Sequence, residues 1–105
     1  MAKATSMVKF TLRSIHDGFS IHMNAIVLPN ITSTTPAVHV DIKQWSHLSK
    51  LQLADPQCGA PGHIDILIGA ETWCDIVEGN IIRGGFQEPC AQYTKLGYVL
   101  FGPAH

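Results

Sequence analysis

The sequence predicts a mostly β domain with one short helix, and three observations predict it. Residues 7–15 and 19–27 alternate apolar and polar side chains on either side of an Asp17-Gly18 turn. Residues 64–68 form an apolar run that ends at Gly69 and passes into helically spaced apolar residues. Tyr93 to Gly102 alternates again before Gly102-Pro103. Period-two alternation marks strands and i, i+3, i+4 spacing marks a helix face.

In the first strand Val8, Phe10 and Leu12 share one face, with Lys9, Thr11 and Arg13 opposite. Asp-Gly between two alternating runs is a strong hairpin signal. Phe19, Ile21, Met23, Ala25 and Val27 continue the pattern as far as Pro29-Asn30. Residues 31–37, rich in Thr, Ser and Pro, read as a surface loop. Val38, Val40 and Ile42 alternate like a brief strand, whereas Trp45, Leu48 and Leu51 keep helical spacing, which predicts a single turn near Ser46–Lys50. Two glycines and two prolines exclude regular structure from Gln57 to His63.

The run from Ile64 to Trp73 is the expected centre. Ile64, Ile66 and Ile68 fall on one face of a strand, Asp65 and Leu67 on the other, and a single polar residue suggests burial on both faces. Gly69 permits a sharp turn. Trp73, Ile76 and Val77 then line a helix face, Glu71 suits the first turn, and Gly79 is the expected stop. Arg83 to Pro89 reads as a loop. Trp45 and Trp73 are expected core anchors.

The chain has 105 residues, 46% apolar and 14% charged, with net charge −1. That is the composition of one small globular domain. No basic patch points to nucleic acid. No apolar run reaches the length of a membrane span, and the N-terminus lacks a signal-peptide core, so an intracellular, cytoplasmic location is expected. The three cysteines, Cys58, Cys74 and Cys90, read as small apolar residues in a reducing compartment, with Cys74 packed into the core.

Three ordered blocks resemble one family: Trp45-x-His47-Leu48-x-x-Leu51-x-Leu53-Ala54-Asp55-Pro56, Ile64 to Glu71, and Glu88-Pro89-Cys90-Ala91-Gln92-x-Thr94-x-Leu96-Gly97-Tyr98-Val99-Leu100-x-Gly102-Pro103. The chain resembles the aspartic peptidase domain of Pao/BEL-type retrotransposon Gag-Pol polyproteins, from about Lys3 to Pro103. The resemblance implies a retropepsin-like fold, here a partial barrel or sheet with one short helix after its central strand. It also implies that Ile66, Leu67, Ile68, Gly69, Ala70 and Glu71 support a catalytic loop from behind and are not themselves catalytic. The last strand, around Leu96 to Phe101, would lie near the sheet that joins two subunits.

Aspartic peptidases use two close carboxylates that share a proton. In one-domain retropepsins each subunit gives one, from an Asp-Thr/Ser-Gly loop. Asp17, Asp41, Asp55, Asp65 and Asp75 are followed by Gly-Phe, Ile-Lys, Pro-Gln, Ile-Leu and Ile-Val, so none fits. In the family pattern that loop lies upstream of a region like Val8–Val27. Residues 1–105 are therefore expected to be the C-terminal portion of one such domain, without a catalytic residue and inactive alone. Asp17 and Asp55 read as turn residues, Asp65 as a hydrogen-bonded strand residue and Glu71 as a helix-start residue.

His22, His39, His47, Cys58, His63, Cys74 and Cys90 are candidate metal ligands, but only Cys58 and His63 approach each other in sequence, and zinc sites need a second such pair. His22 reads as an exposed strand residue and His47 as a polar residue near a loop. No metal or cofactor is expected. Gly84-Gly85 lacks the Lys-Ser/Thr of a phosphate loop. The expected partners are a second copy or the rest of the domain, with a polyprotein substrate for the complete parent only, and no nucleic acid or membrane. The competing reading is a non-enzymatic strand-pairing or dimerisation module, because an incomplete sheet exposes an edge.

Overall fold

A computed structural model describes residues 6–27, 39–63 and 66–103. Its first element is the expected hairpin. β1 (Ser6–Arg13) pairs antiparallel with β2 (Ser20–Val27), in a register that places Phe10 opposite Met23 and Leu12 opposite Ile21. Asp17 shapes the connection by accepting the Phe19 amide at 2.9 Å, and Ser14 N–H closes it on the Phe19 carbonyl at 2.9 Å. This is the Asx-turn chemistry that favours aspartate there. One face carries Val8, Phe10, Leu12, Ile21, Met23 and Ala25, as the alternation requires.

The body of the molecule is a second antiparallel sheet in the order β3 (Val77–Ile82), β4 (Cys90–Thr94), β5 (Gly97–Phe101). Gln92 fills the irregularity between β3 and β4 by donating its side-chain amide to the carbonyls of Glu78 and Asn80. A short 3₁₀ turn, Ile42–Gln44, is capped by Asp41, whose carboxylate accepts the Lys43 amide at 3.0 Å. Successive turns follow, with Leu48 N–H on Trp45 O at 3.0 Å and Leu51 N–H on Leu48 O at 3.2 Å. They realise the helical spacing of Trp45, Leu48 and Leu51 and pack Trp45 and Leu48 onto Ala91 of β4. Val40, Ile42, Leu51, Ile82, Tyr98 and Leu100 surround this core. Of the brief strand expected over 38–42, Val38 lies outside the described residues, 39–41 carry no strand and Ile42 opens the 3₁₀ turn.

Five expectations around the centre are corrected. Ile64 and Asp65 lie outside the described residues, and Ile66 to Gly69 is irregular, with Ile66 38% and Leu67 67% exposed. This is no strand buried on both faces. Strand propensity is realised only beside a pairing partner, and Ile66 to Gly69 pairs with none of β3, β4 and β5. Gly69 caps α1 (Ala70–Ile76) with an ordinary extended backbone, so no glycine-specific turn occurs. The helix does not run to Gly79. Val77 is already extended, and the chain passes directly into β3 with Gly79 inside it. Of the helix face, Ile76 is buried, but Trp73 is 37% exposed and anchors no core, and Cys74 is exposed. A two-turn helix presents too little surface to bury a wide stripe.

The strand expected from Tyr93 to Gly102 is a hairpin. Lys95-Leu96 is its turn, and Gly97 follows at φ +121°. Thr94, fully buried, donates its hydroxyl to the Gly97 carbonyl at 2.6 Å and accepts the Leu96 amide at 3.1 Å. A Cβ on Gly97 would sit 2.8 Å from Ala54 N and 2.9 Å from Gln52 O. Glycine is required there both by its dihedral and by the close approach of the neighbouring chain.

Candidate functional site

Four of the acidic side chains are held by local backbone amides. Asp17, Asp41 and Asp55 each accept a backbone amide two residues ahead, from Phe19, Lys43 and Gln57, at 2.9, 3.0 and 2.9 Å. Glu88 accepts the Gly85 amide at 2.7 Å. Each of these carboxylates is thus engaged by its own loop. Asp75 and Glu71 lie exposed on α1, and Glu71 occupies the first turn, where its charge complements the free amides. Asp65 lies outside the described residues. Among the described residues no carboxylate is hydrogen-bonded to another.

The segment expected to support a catalytic loop runs from just after Ile64-Asp65, which lie outside the described residues, into the first turn of α1. Ile66, Leu67, Gly69, Ala70 and Glu71 are exposed in this chain and Ile68 is half-buried. Cys58 is half-buried, and burial together with the nearby Asp55 carboxylate pushes its thiol up, which keeps it protonated and a poor nucleophile. Among the described residues no group of three or more His, Cys, Asp or Glu could hold a metal ion.

The histidines serve as ties. His47 donates from Nε2 to the Pro89 carbonyl at 2.8 Å, joining the Trp45–Leu51 turns to the entry of β4. His16 donates from Nε2 to the Leu53 carbonyl and fastens the first hairpin to the body. The Lys95 ammonium lies 5.8 Å from the Phe19 ring centre, beside the same junction. His22 is exposed on β2, with Nδ1 2.8 Å from Thr11 Oγ1 across the strand pair. The sequence showed His47 only as a polar residue near a loop, since its partner is 42 positions away.

The feature that does assemble is backbone and apolar. Tyr98 donates its N–H to Gln52 O at 2.9 Å and accepts from Ala54 N–H at 2.9 Å, a parallel bridge on the outer edge of β5. Beside it a groove of about 160 Å³ opens between β5 and the segments carrying Val40–Trp45 and Cys58–Gly59. No helix among the described residues is long and apolar enough to cross a membrane. Comparison with models of known families, with curated proteins and with solved structures returns no match.

Proposed function

We propose that this chain is a portion of a retropepsin-like aspartic peptidase domain of the Pao/BEL retrotransposon type, whose complete form cuts a Gag-Pol polyprotein, and that the chain does not cleave peptides by itself. One observation carries the reading. Two of the three blocks that bear the resemblance, far apart in sequence, interlock in space. Trp45, Leu48 and Leu53 of the first and Pro89, Ala91, Thr94 and Gly97 of the third are buried, and a bridge joins Leu53 to Tyr98. A motif whose parts pack on one another is a structural unit rather than a chance string. The absence of Asp-Thr/Ser-Gly supports the second half of the reading, because no single carboxylate can divide the acid and base roles.

The test is cleavage of a fluorogenic peptide library at pH 4–7. The chain alone is expected to leave it uncut. Turnover that Asp17→Asn or Asp65→Asn abolishes overturns the inactive reading. Reading the encoding gene upstream tests the family: an in-frame Asp-Ser/Thr-Gly supports it, and unrelated sequence there counts against it.

A second reading, a non-enzymatic strand-pairing module, rests on the first hairpin. Among the described residues β1 and β2 form a sheet of two strands, Val8 is 43% exposed, and such a pair is marginal without a further strand or cover. Sedimentation equilibrium decides it: concentration-dependent association supports the module, and a monomer at high concentration removes self-pairing.

A further inference from the structure

We propose that the outer edge of β5 at Leu100, with the groove beside it, is a docking site for an extended, uncharged peptide that adds to the sheet and buries one apolar side chain. The register of the second hairpin leads to it. Thr94 faces Gly97 across a two-residue turn, and side by side the pairs alternate between bonded inward and facing outward. Tyr98 turns its N–H and C=O away from β4, where Gln52 and Ala54 take them. Leu100, two residues on, turns its peptide groups the same way. The chain that pairs at Tyr98 does not follow. At Asp55 it curls into a turn, with Gln57 N–H on Asp55 Oδ1 at 2.9 Å and Cys58 N–H on Asp55 O at 3.1 Å, and Pro56 has no N–H to offer. Leu100 is left without a pairing partner among the described residues.

The groove begins where that pairing stops. Val40, Ile42, Trp45, Cys58, Pro89 and Leu100 line it, and among the described residues no charged side chain does. Its volume of about 160 Å³ matches the apolar cavities of ~150 Å³ that hold a benzene-sized group. An unpaired strand edge supplies one donor and one acceptor in line, and a contiguous apolar pocket takes a side chain of the added strand. Together they make the two halves of β-strand addition: main-chain bonds for affinity, a pocket for selectivity. The lack of charge in the lining excludes acidic or basic side chains at the pocket position. The occupant is thus an extended peptide with a Leu-sized residue, continuing the line that Gln52–Ala54 begins. No bond is cleaved, and the site stands apart from the peptidase reading.

The experiment is an NMR titration of the full chain with the acetylated, amidated pentapeptide Thr-Val-Leu-Val-Thr. Saturable shifts are expected at the amides of Val40, Gly59, Leu100 and Gly102, with Leu100 amide exchange slowed about tenfold at saturation, one hydrogen bond's worth. N-methylation scanned along the peptide should weaken binding about tenfold at one position only, because a single N–H of the added strand meets the free Leu100 carbonyl. Cys58→Leu, which fills the groove, should also weaken it about tenfold. The scan needs no change in the protein, so it decides the matter even if Cys58→Leu misfolds. Absence of shifts at these residues, an N-methyl scan in which no single position stands out, or a Leu100 amide equally protected in the dilute free chain overturns the proposal.

Discussion

The first hairpin and the three-stranded body are built on opposite terms. The hairpin is regular along its whole length, eight residues pairing with eight without a shift, yet none of its residues is buried. The body is irregular, with a bulged β3, a 3₁₀ turn and a tight glycine hairpin, yet Trp45, Leu48, Leu53, Ile76 and Ala91 are all buried there. Local pattern makes regular structure, but long-range packing makes stability, and the two need not coincide. The radius of gyration, 15.0 Å, exceeds the roughly 13 Å of a compact chain of this length, as expected when a hairpin is held mainly by its turn.

The largest test of that contrast is a pair of truncations. Trp45→Ala should cost about 3–5 kcal/mol, enough to unfold a small domain. Phe10→Ala, on the half-buried hairpin face, should cost less than about 1.5 kcal/mol, because most of its surface term is never gained. Urea denaturation followed by Trp fluorescence and circular dichroism measures both. Equal costs would break the contrast, for they would mean that the hairpin face is covered as thoroughly as the core.

A smaller effect is expected at the hinge of the body. Gly97→Ala forces a side chain into φ +121° and against Ala54 N and Gln52 O. A cost of about 1–3 kcal/mol follows from the dihedral, and the Leu53–Tyr98 bridge should open with it. Loss of amide protection at Ala54 and Tyr98, beyond the global change, is the expected signature.

These two sites also mark what the sequence could and could not disclose. The hairpin was legible because alternation and Asp17-Gly18 are local signals, and no distant partner has to be known. Trp45 was legible as an anchor because helical spacing singled it out. Ile66 to Gly69 misled, since an apolar β-branched run says that a strand is affordable, not that an edge awaits it. Trp73 misled similarly: its spacing with Ile76 and Val77 is real, but the side on which the body lies depends on where β3 leaves the helix. Lys95-Leu96-Gly97 concealed a turn because it lacks Asn-Gly, and only Thr94's double bond and Gly97's dihedral reveal it. Of the candidate site, the turn roles of Asp17 and Asp55 could be read directly, whereas the open edge at Leu100 depends on where another segment turns away.

The junction between the regions offers a finer test. His16→Ala removes the donor to the Leu53 carbonyl, a single net bond of about 0.5–1.5 kcal/mol. If the hairpin is a separate cooperative unit, hydrogen exchange should quicken across β1 and β2 while β4 and β5 keep their protection. A uniform rise across both sheets would instead show that the two regions unfold as one.

The smallest expected effect belongs to the body and sets its pH response. Burial, with the Asp55 carboxylate adding to it, raises the Cys58 thiol above its ordinary range. A raised value means that the folded chain holds this proton more tightly than the unfolded chain. The contribution is therefore intact below the usual thiol range, near pH 8.5, and is lost as the pH climbs from there through the raised value. Urea midpoints measured from pH 7 to 10 should fall more steeply for the native chain than for Cys58→Ala, while Phe10→Ala should leave the slope unchanged. Parallel slopes for the native chain and Cys58→Ala would mean that the thiol is as well hydrated as the hairpin's open face, and that the groove beside it is wet.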